Sequence, residues 1–210
     1  MGTETPKQFL EIAGIPVLMH TINAFKAFDS NSEIIIPMPD SHIDFWEKLC
    51  LKHSFNVKHK VVIGGETRFH SVLNGLNAIK ASEGIVAVHD AVRPLVSQQT
   101  IKNSFDLANK KGNAVPVIEM TDSVRIIDGL NSEIIDRDKL RRIQTPQMFE
   151  LNLLREAYRQ TFNESFTDDA SVVEALGFII NMCLGNAENI KITNKSDLLI
   201  AEALINSIAR

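Results

Sequence analysis

Four short stretches of this sequence carry residue types that could handle a phosphorylated ligand. "PKQFL" sets Lys7 behind a proline at the head of an apolar run, and "GGETRFHSV" puts Gly64 and Gly65 ahead of Glu66, Arg68 and Ser71. "VHDAVRP" offers Asp90 with Arg93 nearby, and "NIKIT" sets Lys191 between Ile190 and Ile192, with the amine turned to the opposite face. Paired glycines let backbone N–H groups approach an anion closely, and an aspartate is a hard oxygen ligand suited to Mg²⁺. Each stretch also has an ordinary use: two glycines make a turn, an aspartate caps a helix, a lysine beside isoleucines snorkels to water. The chemistry therefore rests on convergence. Lys7, Asp90, Arg137 and Lys191, at the ends of separate elements, are expected to meet around one concave phosphate site.

The elements that would bring them together follow from hydrophobic period. From Pro16, "PVLMHTINAFKAF" has helical spacing and ends near Asp29; "EIIIPMP" then reads as a strand before the helix "SHIDFWEKLCLKH". The alternation repeats with "NVKHKVVIGG" before "RFHSVLNGLNAIK", "GIVAVHDAVRP" before "SQQTIKNSFDLANKK", and "NAVPVIEM" after it. Strands alternating with helices of this length predict a three-layer α/β fold with a mostly parallel sheet. In such a sheet ligands bind beyond the carboxyl ends of the strands, where Gly64, Gly65 and Asp90 fall.

Between 121 and 145 the rhythm changes. "SVRIIDG" and "SEIIDRDKL", with Gly129 and Asn131 at a turn, predict a β-hairpin arm inserted into an otherwise single domain spanning 1–210. "ELNLLREAYRQTF" and "TDDASVVEALG" follow as helices, the second with Thr167 placed to cap it. "FIINMCLG" and "NIKIT" read as strands, and "SDLLIAEALINSIAR" as a closing helix with Ser196 at its N-cap.

Composition narrows the class of ligand. With 22 basic and 26 acidic residues, the formal charge of −4 supplies no general attraction to nucleic acid or an anionic membrane, so positive charge for an anion must be local. Neither partner is expected. The two cysteines, Cys50 and Cys183, lack CxxC spacing and fit a reducing cytoplasm. No leader pattern opens the chain, and no apolar run approaches the roughly 20 residues of a membrane span. The sequence has no GxSxG elbow, no HExxH and no Walker A lysine loop, and its six histidines lack metal-ligand spacing. Asp168 and Asp169 read as first-turn helix charges rather than an acid/base pair.

Taken in order, "PKQFL", "GGETRFHSV", "VHDAVRP", "IIDRDKLRRIQTPQMF", "TDDASVVEALG" and "NIKIT" resemble the 2-C-methyl-D-erythritol 4-phosphate cytidylyltransferases of the non-mevalonate isoprenoid pathway, over nearly the whole chain. The resemblance implies a Rossmann-like nucleotidyltransferase fold, a homodimer interlocked through the β-arm, and CMP transfer from CTP to methylerythritol phosphate with release of pyrophosphate. It also implies a site. Lys7 would neutralise the CTP phosphates, Lys191 would bridge nucleotide and incoming phosphate, and Asp90 would serve Mg²⁺. Gly65, Glu66, Ser71 and Ala91 would line the cytidine pocket, with Glu66 where the family commonly has aspartate. Arg137 would hold the acceptor phosphate, with Ser123 where threonine is more frequent, and Arg68, Arg93, Thr145 and Thr167 would complete the substrate contacts. Ribitol-5-phosphate cytidylyltransferases share the fold and reaction, and a catalytically impaired dimeric remnant is a third reading.

The remnant enters because of the N-terminus. In the family a first strand leads into a loop of the form AAGxGxRMG before PKQ, and Met1 and Gly2 coincide with the last two letters of that loop. On this resemblance the strand, the glycines and the arginine are missing, as from an internal start. The expectation is a sheet short of a central strand, lower stability and little CTP turnover.

Overall fold

A computed structural model describes residues 5–208. Lys7–Phe9 form one 3₁₀ turn that buries Phe9, and a two-residue ladder follows between β1 (Glu11–Ile12) and β2 (Ile15–Pro16). Pro16, extended at φ −53° and ψ 137°, opens α1 (Val17–Phe28), whose buried face is Val17, Leu18, Met19, Thr21 and Ile22. Proline suits this place because its missing N–H and fixed φ cost nothing at a helix start. β3 (Ile35–Met38), α2 (Ile43–Lys52) and β4 (Lys60–Ile63) come next, with β3 and β4 parallel in register Ile35↔Lys60 to Met38↔Ile63.

α3 (Arg68–Asn77) is capped by Thr67, whose hydroxyl accepts the His70 N–H, and leads to β5 (Ile85–Val88). α4 (Gln98–Lys111) is bounded by Ser97, which accepts the Thr100 N–H, and by Gly112 at φ +85°, a left-handed stop that glycine adopts without a Cβ clash. β6 (Asn113–Glu119) precedes the arm, which consists of β7 (Val124–Asp128) and β8 (Asn131–Ile135) around Gly129 at φ +57°. Asn131 already pairs with Asp128, so the turn is Gly129–Leu130 rather than Gly129 to Asn131. β9 (Arg141–Ile143), β10 (Gln147–Glu150), α5 (Leu151–Ala157), α6 (Asp169–Glu174), β11 (Met182–Leu184) and α7 (Lys195–Ile208) complete the order.

The main sheet runs β11-β6-β10-β5, with β9 also on β6. β11 is parallel to β6, and β10 lies antiparallel to both β6 and β5, so β5, β6 and β11 share one direction. The period of β10 shows the layering: Met148 packs with Ile101, Ala108 and Ala114, while Phe149 packs on the other face with Phe69, Leu154 and Tyr158. Helices thus cover both faces in an α/β fold. Phe9, Leu18, Ile36, Trp46 and Leu49 form a third cluster around β3. None of the helices among the described residues is long and apolar enough to cross a membrane.

The sheet is interrupted. β3 and β4 pair only with each other, and β5 ends the main sheet, so β3 and β5 each keep an unpaired edge among the described residues. Between these edges lies a cleft of about 620 Å³, walled by α1, α3 and α4 and lined by apolar groups such as Ile22, Phe25, Ile36 and Val86.

Three local expectations are corrected. Asp168, not Thr167, caps α6, because its carboxylate accepts the Ser171 N–H while Ser171 Oγ accepts the Asp168 N–H in a capping box. At α7 the cap is Asn194, whose Oδ1 accepts the Asp197 N–H at 2.9 Å, rather than Ser196. "NIKIT" forms no strand: its alternation is met by burying Ile192 completely and by one backbone bond, Ile192 N–H to Val92 O at 2.9 Å, without a ladder.

Candidate active site

The loop after β5 carries the centre of the site. Asp90 Oδ2 accepts from Arg93 Nε at 3.0 Å and lies 3.3 Å from Lys191 Nζ, so two cations from segments about a hundred residues apart share one carboxylate oxygen. Asp90 and Arg93 are largely withdrawn from solvent, while the Lys191 side chain remains 48% exposed. Burial is the largest single influence on the Asp90 carboxyl and pushes its pKa up, but Lys191, Arg93 and Arg68 together outweigh it and hold the group below the ordinary aspartate range. Asp90 is therefore an anion at neutral pH. Its Oδ1 has no hydrogen-bond or ion-pair partner among the described residues.

The loop after β4 meets the same cleft. Ser71 Oγ accepts from Gly65 N–H at 3.0 Å and lines the cleft together with Arg68, Asp90 and Ala91. Gly65 has a steric reason to be glycine, since a Cβ there would lie 2.3 Å from His70 Cβ. Arg68 is held from behind: Nη1 donates to Asp169 Oδ1 at 3.0 Å and Nη2 to Oδ2, while Tyr158 Oη donates to Oδ1 at 2.6 Å. Burial first, and then the Asp169 carboxylate, push the Tyr158 phenol far above its usual range, so it stays a neutral donor. The fully buried Asp169 thus couples the start of α3 to α6.

Thr145 and Ala91 are structural neighbours of this centre. Thr145 Oγ1 accepts the Asp90 N–H at 3.1 Å and bonds His89 Nδ1 at 2.9 Å, and the Ala91 carbonyl accepts from Thr21 Oγ1 at 3.0 Å. The Thr145 hydroxyl is buried and doubly engaged. Arg93, from "VHDAVRP", also donates through Nη1 to the Asn189 carbonyl at 2.7 Å.

Other expected residues make no hydrogen bond or ion pair with Asp90 among the described residues. Arg137 and Ser123 line a separate small hollow in the arm, where Arg137 Nη1 donates to Thr121 O at 2.6 Å. The Lys7 side chain makes no hydrogen bond or ion pair among the described residues, and the partly buried residue opens the 3₁₀ turn anchored by Phe9. Glu66 and Thr167 are exposed at the N-terminal approaches to α3 and α6. Met1 and Gly2, on which the match to the glycine-rich loop rests, lie outside the described residues. Sequence reasoning did not single out His89, Gln144 or Asn189, and it read Asp169 only as a helix charge. The signal available for Asn189 was its place beside "IKIT"; for Gln144 it was its place in "QTPQ".

Comparison with known proteins identifies the family. The family model described as IspD, 2-C-methyl-D-erythritol 4-phosphate cytidylyltransferase, matches residues 1–207. A cytidylyltransferase of that name from Bacteroides thetaiotaomicron is 47% identical over 205 residues, covering 98% of this chain and 93% of the relative. Another from Porphyromonas gingivalis is 47% identical over 209 residues, covering 99% and 92%. The crystal structure of the Thermus thermophilus enzyme superposes with a TM-score of 0.81 at 32% identity, over 96% of this chain and 94% of that one. With its Asp90-centred cluster, its α/β layering and these matches along its length, this chain belongs to the 2-C-methyl-D-erythritol 4-phosphate cytidylyltransferase (IspD) family.

Proposed function

We propose that this protein transfers CMP from CTP to 2-C-methyl-D-erythritol 4-phosphate and releases pyrophosphate. The observation that carries the reading is the meeting of Arg93 and Lys191 on Asp90, which lines one cleft together with Ser71 and Arg68. The reaction needs charge management more than proton transfer. A phosphate monoester has a second pKa of about 6, so at neutral pH the acceptor is mostly a dianion and already a nucleophile. It must approach the α-phosphorus of a polyanion, so cations have to offset repulsion, align the attack and stabilise the departing pyrophosphate.

In this reading Lys191, half in solvent and tethered to Asp90, bridges the acceptor phosphate and the nucleotide, while the unpaired ammonium of Lys7 takes charge on the triphosphate. Ser71 and the Gly65 backbone line the cytidine side, with Glu66 and Ala91 beside them. Arg68 presents its exposed edge to the cleft, its charge half committed to Asp169. Arg93 and Thr145 hold the Asp90 loop, Thr167 borders the acceptor side, and Arg137 and Ser123 of the arm, whose hollow is separate from this cleft within one chain, receive the acceptor phosphate in the site of a second copy.

A divalent cation fits the donor set. No group of three or more His, Cys, Asp or Glu able to cage a metal occurs among the described residues, but Mg²⁺ needs only one or two carboxylates when phosphates and water supply the rest. The free Asp90 Oδ1 is such a donor. When bound, the ion would supply charge neutralisation on the phosphates.

The arm supports a homodimer. Ile126, Ile127, Leu130 and Ile134 are all more than half exposed on one short hairpin, a concentration of apolar surface that a second copy would cover. With both thiols free, a reducing cytoplasm is the fitting compartment.

The deciding experiment is a coupled pyrophosphate-release assay with CTP, Mg²⁺ and methylerythritol phosphate, with ribitol 5-phosphate as the control acceptor. Release that depends on methylerythritol phosphate supports the reading. CTP binding by calorimetry with no release on either acceptor would refute transfer, and release on ribitol phosphate alone would reassign the acceptor.

A further inference from the structure

Behind the Asp90 cluster lies a set of buried amides that neither the reaction nor the sequence motifs account for. Asn189 is completely buried, and its Nδ2 donates to the Thr145 carbonyl at 2.8 Å and reaches Gln144 Oε1 at 3.5 Å. Its backbone carbonyl accepts from Arg93 Nη1 at 2.7 Å and from Gln144 Nε2 at 3.3 Å. Gln144, also buried, spends the same Nε2 on the Asn186 carbonyl at 2.9 Å, and a Cβ at Gly185 would come within 2.3 Å of Gln144 Oε1. Three segments distant in sequence are therefore joined through one residue: the 89–93 loop, the 144–145 turn and the 189–192 stretch.

The orientation of the Asn189 amide is fixed by these neighbours. Its Oδ1 is buried without a partner among the described residues, yet turning the amide over would set oxygen against the Thr145 carbonyl and give up two donor contacts. The next link is equally determined. Thr145 Oγ1 accepts the Asp90 N–H, so its proton goes to His89 Nδ1, and the remaining His89 Nε2–H donates to the Arg93 carbonyl at 3.0 Å. Asn189 thus fixes Arg93 directly and Asp90 through Thr145. Two residues later the chain presents Lys191 to Asp90, anchored by the Ile192 N–H on the Val92 carbonyl.

We propose that Asn189 is a positioning residue for the CMP-transfer site: it touches no substrate, but its buried amide and carbonyl set Arg93 and Lys191 in register on Asp90. This deepens the transferase reading and rests on it. A stretch with no strand ladder needs such a device, because a lysine held by one backbone bond and a half-exposed ion pair would otherwise sample many positions. A displacement of about 1 Å of a charged group at such a site is enough to cost a hundredfold in rate.

The test uses the whole chain with Asn189→Ala, and Asn189→Asp as a shape-conserving second variant. Leu154→Ala, on the buried face of α5, serves as a control for general destabilisation. Amide hydrogen exchange and CMP-transfer kinetics are read at matched folded fraction. The expected result is at least tenfold faster exchange at the Asp90 and Ile192 amides in both Asn189 variants and not in the control, with kcat/KM reduced at least tenfold. Unchanged exchange at those amides overturns the proposal, and so does faster exchange with undiminished kcat/KM. Absence of transfer by the unsubstituted chain counts against the proposed function instead, and the exchange measurement alone then decides whether Asn189 holds the loop.

Discussion

Arg68 and Asp169, 101 residues apart, meet as a two-pronged ion pair in which the carboxylate is fully buried and the guanidinium keeps one edge in the cleft. The arrangement ties the first residue of α3, after "GGET", to the first residue of α6. A charge carried into the core in this way must keep its partners, because removing one leaves the others desolvated and unmatched.

Asp169→Ala is therefore expected to destabilise the protein by about 2–3 kcal/mol, below the usual cost of breaking a buried pair because the partly exposed Arg68 can rehydrate while Tyr158 loses its acceptor. Urea unfolding checks this. A loss under about 0.5 kcal/mol, the scale of an ordinary surface change, would show that the pair does not hold the two helices.

Asp90→Asn keeps the shape of the side chain but removes the charge that Arg93 and Lys191 share. CMP transfer is expected to fall by about 10²–10³-fold, the scale seen when one preorganised electrostatic partner is lost, and added Mg²⁺ is not expected to restore it. Lys191→Met should lower the rate comparably while changing stability by less than about 1 kcal/mol, since its ion pair is half in solvent. Steady-state kinetics beside thermal unfolding separate the two effects.

His89 gives a pH dependence. Burial, opposed by its hydrogen bonds and Asp90, lowers its pKa to about 4, so the folded protein holds it neutral. An unfolded histidine titrates near 6.5, so between about pH 6.5 and 4 the unfolded chain binds the extra proton. Stability from this group is complete above pH 6.5 and declines as pH falls toward 4, by roughly 3 kcal/mol at most. Unfolding free energies measured across that window for the protein and His89→Gln should converge as pH falls. Parallel curves would assign the acid sensitivity elsewhere.

The exposed arm residues Ile127 and Leu130 are 68% and 107% exposed. Replacing both with Asp should leave the fold intact and turn a dimer into a monomer by sedimentation, because burying two carboxylates against an apolar partner face is costly. A double variant that still sediments as a dimer would place the subunit contact away from the arm.

Much of the fold was legible from period alone. The alternation of strands and helices depends on local sterics, which a short stretch of sequence contains, whereas the two caps read there, Thr167 and Ser196, fell one and two residues beside the observed Asp168 and Asn194. The direction of β10, antiparallel to both neighbours, was not legible, because pairing sense depends on how the chain returns rather than on which residues alternate. The alternation of "NIKIT" was also real, yet it marks one buried isoleucine and no ladder.

For the site, the sequence by itself determined which side chains were chemically able to take part: Lys7, Asp90, Arg93, Lys191 and the glycine loop. The motif order determined the family they resemble. Only the tertiary structure decided that Arg93 and Lys191 fall on the same Asp90 oxygen, that Arg68 is anchored to Asp169, and that Thr145 spends its hydroxyl on the Asp90 loop. The physical reason is range. Helix period and capping act within about four residues of chain, whereas the meeting of charges from positions 90 and 191 is set by packing and buried amides that no local pattern encodes.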